Sequence, residues 1–224
     1  MKKISKIFLL LIIGISFGAC QQEEYEVLTE ENEAGFTAGS DFYTLVERTS
    51  KNDGSADDEI DDSPCFSLKF PFNIELSGLV IKVASASDLE VVIERIEEFE
   101  DDEFSLQFPV TVTLSNYESV SVSNIEEFEE LQQTCEEDLE EGLFPITCAK
   151  IQFPIKVFVY NINTQQTNSA NIANKQQLFT FLQNVETHEV LSFDYPITIS
   201  YDGDARVVVN SGKEFSDALK TCIN

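Results

Sequence analysis

Four stretches of the chain alternate apolar and polar residues: FSLKFPFNIEL (66–76), FSLQFPVTVTL (104–114), AKIQFPIKVFV (149–159) and LSFDYPITISY (191–201). A period of two is the signature of a strand with one buried face. The inward sets are Phe66/Leu68/Phe70/Phe72/Ile74/Leu76, Phe104 through Leu114, Ala149 through Val159, and Leu191 through Tyr201. Pro71, Pro109, Pro154 and Pro196 all fall on the polar phase. Proline has no N–H to give a ladder, so a strand tolerates it at an edge, at a bulge, or where its partner has ended.

A turn, a shorter strand and a helix follow each stretch. Ser77-Gly78 precedes LVIKV, SNYE (115–118) precedes SVSVS, and Asp202-Gly203, a pair suited to a type I′ turn, precedes ARVVV. The third stretch has a longer polar connection, NINTQQTNS, before a weaker second strand. Ser211 and Glu214 form a capping box ahead of Phe215, Ala218, Leu219 and Cys222, an apolar face at helical spacing. Asn124 and Glu127 stand before Phe128, Leu131 and Cys135, and Asn174 and Gln177 before Leu178, Phe181, Leu182 and Val185. Ser85 precedes Leu89, Val92, Ile93 and Ile96. EFEELQQTC (127–135) and EFSDALKTC (214–222) match at both ends.

The pattern predicts an α+β chain of four ββα units. A single eight-stranded sheet has only two edges, whereas two four-stranded sheets provide four, one for each proline strand. The expectation is therefore two similar half-domains, 65–135 and 148–224, joined by a linker over 136–147. Each is an antiparallel sheet with helices on its apolar face, and each proline marks where hairpin pairing stops.

The cysteines sit at the corners of this repeat. Cys65 and Cys148 stand at the foot of a first strand, and Cys135 and Cys222 at the end of a second helix. Tracing strand and helix directions brings the start and finish of each half to one end. That favours disulfides Cys65–Cys135 and Cys148–Cys222, each stabilising by roughly 4 kcal/mol in the chain-entropy model. Cys135–Cys148 with Cys65–Cys222 satisfies the same geometry. An even set of cysteines in an exported chain reads as disulfides. With no C-x-x-C and His188 the only histidine, a zinc site is not expected.

Export is written at the start. Lys2, Lys3 and Lys6 precede an apolar run, Ile7 to Phe17, which is too short to span a bilayer and suits a signal peptide over 1–19. Gly18-Ala19 before Cys20 resembles a bacterial lipoprotein cleavage site, which implies cleavage before Cys20 and lipidation of Cys20. Several acyl chains together give stable anchoring. The following QQEEYE resembles the signal that carries Bacteroidetes lipoproteins to the outer face of the outer membrane. Residues 20–64 read as an acidic tether, in which Phe42, Leu45 and Val46 form a docked helical turn or two. The segment DFYTLVERTSKNDGSADDEIDDSPCFSLKFP (41–71), with the later Phe-Pro strands, resembles an uncharacterised group of flavobacterial surface lipoproteins. The resemblance covers most of the mature chain and implies no activity and no catalytic residue.

Charge narrows the partners. The net charge is −27, and removal of the three leader lysines leaves 11 basic residues against 41 acidic ones. Phosphate backbones need clustered Lys and Arg, so no nucleic-acid partner is expected. KNDGSADDEIDD (51–62) invites calcium through Asp53, Asp57, Asp58 or Asp61. An EF-hand register anchored on Gly54 fails, because it places Thr49, Lys51 and Ile60 at ligand positions one, three and twelve. The runs EEFEDDE (97–103) and EEDLEE (136–141), each after a helix, are calcium candidates of the same kind, and a solvated acidic stretch is the ordinary reading of all three. Outside the leader no G-x-S-x-G elbow exists, and one loop histidine makes a nucleophilic triad implausible. Ser105, Gln107, Thr111 and Thr113 share one outward face, as do Ser192, Asp194, Thr198 and Ser200. Such faces suit glycan or protein, although the chain lacks tryptophan, the preferred stacking platform.

The sequence thus points to a non-catalytic lipoprotein anchored at the outer membrane, binding or supporting an outer-membrane protein or glycan. A calcium-stabilised adhesive or glycan-binding module is the alternative, and a hydrolase the weakest reading.

Overall fold

A computed structural model describes residues 35–54, 58–98, 104–140, 142, 144–201 and 205–223. Its strands are β1 (Phe36–Thr37), β2 (Phe66–Leu68), β3 (Phe72–Leu76), β4 (Leu79–Val83), β5 (Phe104–Gln107), β6 (Val110–Leu114) and β7 (Ser119–Val122). They continue with β8 (Ala149–Ile151), β9 (Ile155–Asn161), β10 (Gln166–Ile172), β11 (Glu189–Phe193), β12 (Ile197–Tyr201) and β13 (Arg206–Val209). The helices are α1 (Asp41–Ser50), α2 (Asp58–Asp61), α3 (Ala86–Glu98), α4 (Ile125–Glu140), α5 (Lys175–Leu182) and α6 (Gly212–Lys220). The fold is mixed α and β, built on several small antiparallel sheets.

The expected pair of four-stranded sheets is replaced by four sheets, three of three strands (β2-β6-β7, β4-β3-β5 and β13-β12-β8) and one of four (β1-β11-β9-β10). The prolines explain the difference. Each long alternating stretch is two strands rather than one, and the break falls at Pro71, Pro109, Pro154 or Pro196, each in a cis peptide. The part before the proline joins one sheet and the part after it joins another. Thus β2 pairs with β6 (Phe66↔Leu114), while β3, beyond Pro71, pairs with β4 and β5. Likewise β8 pairs with β12 (Ile199↔Ile151), and β9, beyond Pro154, pairs with β10 and β11. Proline therefore marks a change of sheet, and three of the four segments before it, β2, β5 and β8, end their sheets. Hairpin pairing does begin just past it, at Phe72↔Val83 and Val110↔Val122.

Alternation resumes beyond the crossover, and Phe66, Leu68, Phe72 and Ile74 are all buried in one hydrophobic cluster. Phe70, expected to face inward with them, is exposed instead, because it stands at the break beside Pro71 where neither strand covers it. The polar connection NINTQQTNS is mostly strand: β9 and β10 pair from Ile155↔Ile172 out to Asn161↔Gln166. Asn161 makes this tight turn itself, its Oδ1 accepting from the Asn163 and Thr164 amides at 3.0 Å each.

Four helices begin with reciprocal caps. Asn124 Oδ1 accepts from Glu127 N at 2.9 Å while Glu127 Oε2 accepts from Ser123 N at 2.8 Å. Asn174/Gln177 and Ser211/Glu214 repeat the arrangement. At α3, Asp88 answers Ser85, accepting from Ala84 N at 3.0 Å. The buried faces follow the apolar spacing: Leu89 and Val92, Phe128 and Cys135, Leu178 and Leu182, then Phe215, Ala218 and Leu219. The structure pairs Cys65 with Cys135 (Cα–Cα 5.7 Å) and Cys148 with Cys222 (5.8 Å).

Two expectations about connecting segments are corrected. Residues 35–54, assigned to the tether, belong to the folded body. β1 adds to β11 through Phe36↔Leu191, and α1 lies against α5 and α6 with Leu45 and Val46 in the core. The local reason is an amphipathic stretch with a proper start, since Ser40 Oγ caps α1 by accepting from Tyr43 N at 3.3 Å. The docked helical turns expected of Phe42, Leu45 and Val46 are the centre of this helix, which runs further than its apolar patch. The linker over 136–147 is also structured at both ends. α4 continues to Glu140, and Ile146 is buried, its amide donating to the Arg48 carbonyl at 3.2 Å. Arg48 is itself buried, with Nε 2.9 Å from the Phe144 carbonyl and its guanidinium 4.8 Å from the centre of the Phe144 ring.

Candidate functional site

The crossovers at Pro154 and Pro196 come together. The strand segments on either side diverge into different sheets, and the space they leave is a groove of about 510 Å³. Gln152, Lys156, Asn171, Asp194 and Thr198 supply its polar groups. Each is positioned by backbone pairing. The Asp194 amide donates to the Lys156 carbonyl at 2.9 Å, the Gln152 amide donates to the Thr198 carbonyl at 2.9 Å, and Asn171 stands opposite Lys156 in the β9–β10 ladder.

Lys156 Nζ lies 4.0 Å from Asp194 Oδ2 and 4.6 Å from the centre of the Phe158 ring. The ion pair is half exposed, so its charges stay well hydrated and open to competition by a ligand. Gln152 is anchored, its Nε2 donating to Ser200 Oγ at 2.7 Å. Register places Phe158 between Ser169 and Ser192, and Tyr160 between Thr167 and Val190. With Lys156, these residues occupy alternate positions of β9 and so share one face. Tyr160 is 38% exposed. A short aromatic ridge flanked by hydroxyls thus runs from the groove along the outside of β9. Amides, hydroxyls, one carboxylate and one ammonium are hydrogen-bonding equipment for a polar ligand, and the ridge adds stacking surface.

Asp194 and Thr198 line the groove, as part of the outward face expected from the sequence. That face is not one flat surface, because Ser192 lies on β11 and Thr198 and Ser200 on β12, in separate sheets. The same split separates Ser105 and Gln107 on β5 from Thr111 and Thr113 on β6. Gln107 donates to Glu75 Oε2 at 2.8 Å, and the Thr113 carbonyl accepts from Asn52 Nδ2 at 3.2 Å. Lys156, Asn171, Phe158 and Tyr160 were missed by sequence reasoning. The signal was present in β9, where IKVFVY places a cation and two aromatics on the polar phase.

The calcium candidates have varied surroundings. Asp57 lies outside the described residues, as do the side chain of Asp58 and the whole of Cys20. Asp53 acts electrostatically on Tyr117 and Lys175. Burial pushes the Tyr117 hydroxyl up to about 12, with Asp53 adding to the effect. Burial pushes the Lys175 ammonium down, against the pull of Asp53, and Lys150 pushes it the same way as burial. Asp61 is buried, its Oδ1 accepting from Ser63 N at 3.1 Å and its carbonyl accepting from Gln132 Nε2 at 2.7 Å. Among the described residues no group of three or more His, Cys, Asp or Glu is placed to hold a metal ion. Of the acidic runs, 99–103 and 141 lie outside the described residues, and 136–140 extend α4.

The NDG segment has a structural use. The Asn52 amide donates to the Ser115 carbonyl at 2.8 Å. At Gly54 a Cβ would meet the Phe66 carbonyl oxygen at 2.4 Å, so only glycine lets the chain cross β2 this closely. His188 Nε2 is 3.0 Å from Glu186 Oε2 in an exposed loop pair. Among the described residues no helix is long and apolar enough to cross a membrane. Comparison with protein-family models, with curated proteins and with solved structures finds no match to this chain.

Proposed function

We propose that this protein is a non-catalytic lipoprotein, anchored through Cys20 at the outer membrane and exposed at the cell surface. On this reading the mature chain comprises four ββα units in two half-domains, each closed by one disulfide, and the second half-domain carries the ligand groove. Leader, small residues and Cys20 support the anchoring; the matching order of strands, caps and cysteines supports the organisation. The observation that carries binding is the groove between Pro154 and Pro196, where Gln152, Lys156, Asn171, Asp194 and Thr198 open onto the Phe158/Tyr160 ridge. Its partner is an outer-membrane protein.

The test is cross-linking on intact cells followed by purification of the mature lipoprotein, with a Tyr160→Ala, Asn171→Ala variant alongside. A reproducible outer-membrane protein, lost from the double variant, is expected. Equal recovery with both proteins rejects the groove as the contact. Background alone in both shifts the reading to a glycan, which the aromatic ridge favours and a glycan screen with the same variant decides. Anchoring is tested separately, since Cys20→Ala must abolish labelling with a fatty-acid probe.

A further inference from the structure

The two half-domains differ at one matching place. β11 belongs to the sheet β1-β11-β9-β10 and has a neighbour on each side; β5, its counterpart in the repeat, ends the sheet β4-β3-β5. Among the described residues nothing pairs with the outer edge of β5. In the second half-domain the corresponding edge is taken by Phe36–Thr37, and α1 then crosses the core. The Phe36 ring stacks on Phe193 with centroids 5.3 Å apart, the Phe42 ring meets Phe193 edge-on at 6.2 Å, and the Tyr43 hydroxyl donates to the Leu182 carbonyl at 2.6 Å. Beneath this cover Leu191, Phe193 and Leu182 are 0%, 5% and 1% exposed.

Their counterparts in the first half-domain are Phe104, Leu106 and Ile93, and all three remain half-buried. Phe108, Ile96 and Leu131 are likewise packed against that core without being enclosed by it. An open strand edge beside a partly covered apolar floor is the arrangement that strand addition and helix-in-groove recognition use. The second half-domain shows what such a place accepts: a short strand, a turn, and a helix whose apolar face turns inward.

Charge identifies the kind of segment. Residues 65–135 hold fifteen Asp and Glu against three Lys and Arg, whereas residues 148–222 hold seven against six. The helices of the first half-domain show this to solvent: Glu90 and Glu94 on α3, and Glu126, Glu127, Glu129 and Glu130 on α4, are exposed. A docked segment with an acidic polar face would be repelled there, and a basic one attracted. We propose that the open edge of β5 and the adjoining face of α3 and α4 bind a cationic strand–turn–helix segment of a partner protein. This rests on the half-domain reading above, because the equivalence of β5 and β11 supplies the template.

The probe is a synthetic peptide of residues 35–51 bearing Asp41→Lys and Glu47→Lys, added to the mature chain, with the unsubstituted peptide as control. Hydrogen exchange is followed in β5 and β11, first without peptide. The open edge requires outward-facing amides of β5 to exchange faster than those of β11, and equal protection overturns the proposal whatever the peptide does; the half-domain reading fails separately if opening one disulfide quickens exchange equally in β5 and β11. With the edge open, the cationic peptide should protect Phe104–Gln107 and leave Glu189–Phe193 unchanged. Its Kd should weaken at least tenfold between low and physiological salt, the control peptide should bind at least tenfold more weakly, and Leu106→Glu should abolish binding. If Leu106→Glu unfolds the chain, Ile93→Glu on the helix side replaces it. No binding, salt-independent binding, or protection at β11 through displacement of β1 would each overturn the proposal. So would binding that appears only after deletion of residues 21–34, since the chain would then supply its own occupant.

Discussion

The two hydrophobic cores begin from nearly the same list of parts and end at different sizes. Alternating strands and capped helices enter both, yet among the described residues one cluster gathers 20 buried residues and the other 12. Phe36, Tyr43, Leu45 and Val46 account for half of that excess, and all come from β1 and α1. They also complete an aromatic group, with Phe42 between Phe36 and Phe215 at ring distances of 4.8 and 5.4 Å. The other core has a smaller group, Phe66 and Phe108 edge-on to Phe128. Alternating strands and capped helices therefore frame each core, and an added segment, β1 with α1, fills one of them more completely.

If the halves are built separately, the largest losses should be alike. Replacing both cysteines of either disulfide with serine should cost roughly 4 kcal/mol, because the two bridges close loops of 70 and 74 residues. Hydrogen exchange should show the loss concentrated in the half that lost its bridge. Equal loosening of both halves would make them one cooperative unit and break the comparison.

The guest segment should divide the halves. Leu45→Ala removes a buried side chain from the larger core and should lower stability by about 3 kcal/mol. Exchange should quicken in β11, β9 and α5 while β3 and β6 stay as they were. A matching loss around Phe72 and Val112 would mean that α1 supports both cores.

Tyr117 tests the seam. Its ring lies 5.6 Å from that of Phe179 on α5, and its hydroxyl donates to the Ser50 carbonyl at 2.9 Å, tying the β6–β7 turn to the end of α1. Tyr117→Phe should cost about 1 kcal/mol, one part-buried hydrogen bond. It should also change the alkaline profile. The folded hydroxyl stays neutral up to about 12, while the unfolded one ionises near 10. Stability attributable to Tyr117 is then whole below pH 10 and declines as pH rises toward 12. Urea unfolding between pH 9 and 12 should show a shallower decline in the variant.

Much of this architecture could be read from residue order, and the reasons for the rest are local. Caps were legible because a short polar side chain and a Glu or Gln three residues later satisfy backbone donors whatever surrounds them, although Asp88 in the same role after Ser85 was overlooked. Strand and helix directions left two disulfide pairings open, and the structure has the one they favoured, Cys65–Cys135 with Cys148–Cys222. The change of sheet at each proline was not, since alternation runs unbroken through Phe70, Phe72 and Ile74 while the partner changes from β6 to β4 and β5. Periodicity reports which face is buried and says nothing of which neighbour buries it. The docked turn of Phe42, Leu45 and Val46 was legible, but the full length of α1 and the strand before it were masked by acidic surroundings, and Phe179 by facing Tyr117 rather than the helix's own sheet. The groove followed the same logic, for it exists only because the strands part at Pro154 and Pro196.

The smallest expected effect belongs to that groove. Lys156 and Asp194 form an exposed pair at 4.0 Å, and such pairs contribute between nothing and about 1 kcal/mol. Asp194→Asn keeps the side-chain shape and the backbone bond from the Asp194 amide to the Lys156 carbonyl, so thermal stability should move by less than about 0.5 kcal/mol. Lys156 would then be left facing Asn171 and the Phe158 ring without its counter-charge. A ligand that contacts the ammonium should respond to this change, whereas folding should not. Unchanged stability together with altered recovery of the cross-linked partner would place the pair in recognition. A loss of 2 kcal/mol or more, of the size expected when a buried partner is removed, would instead show that Asp194 holds the crossover together and that the groove is part of the scaffold.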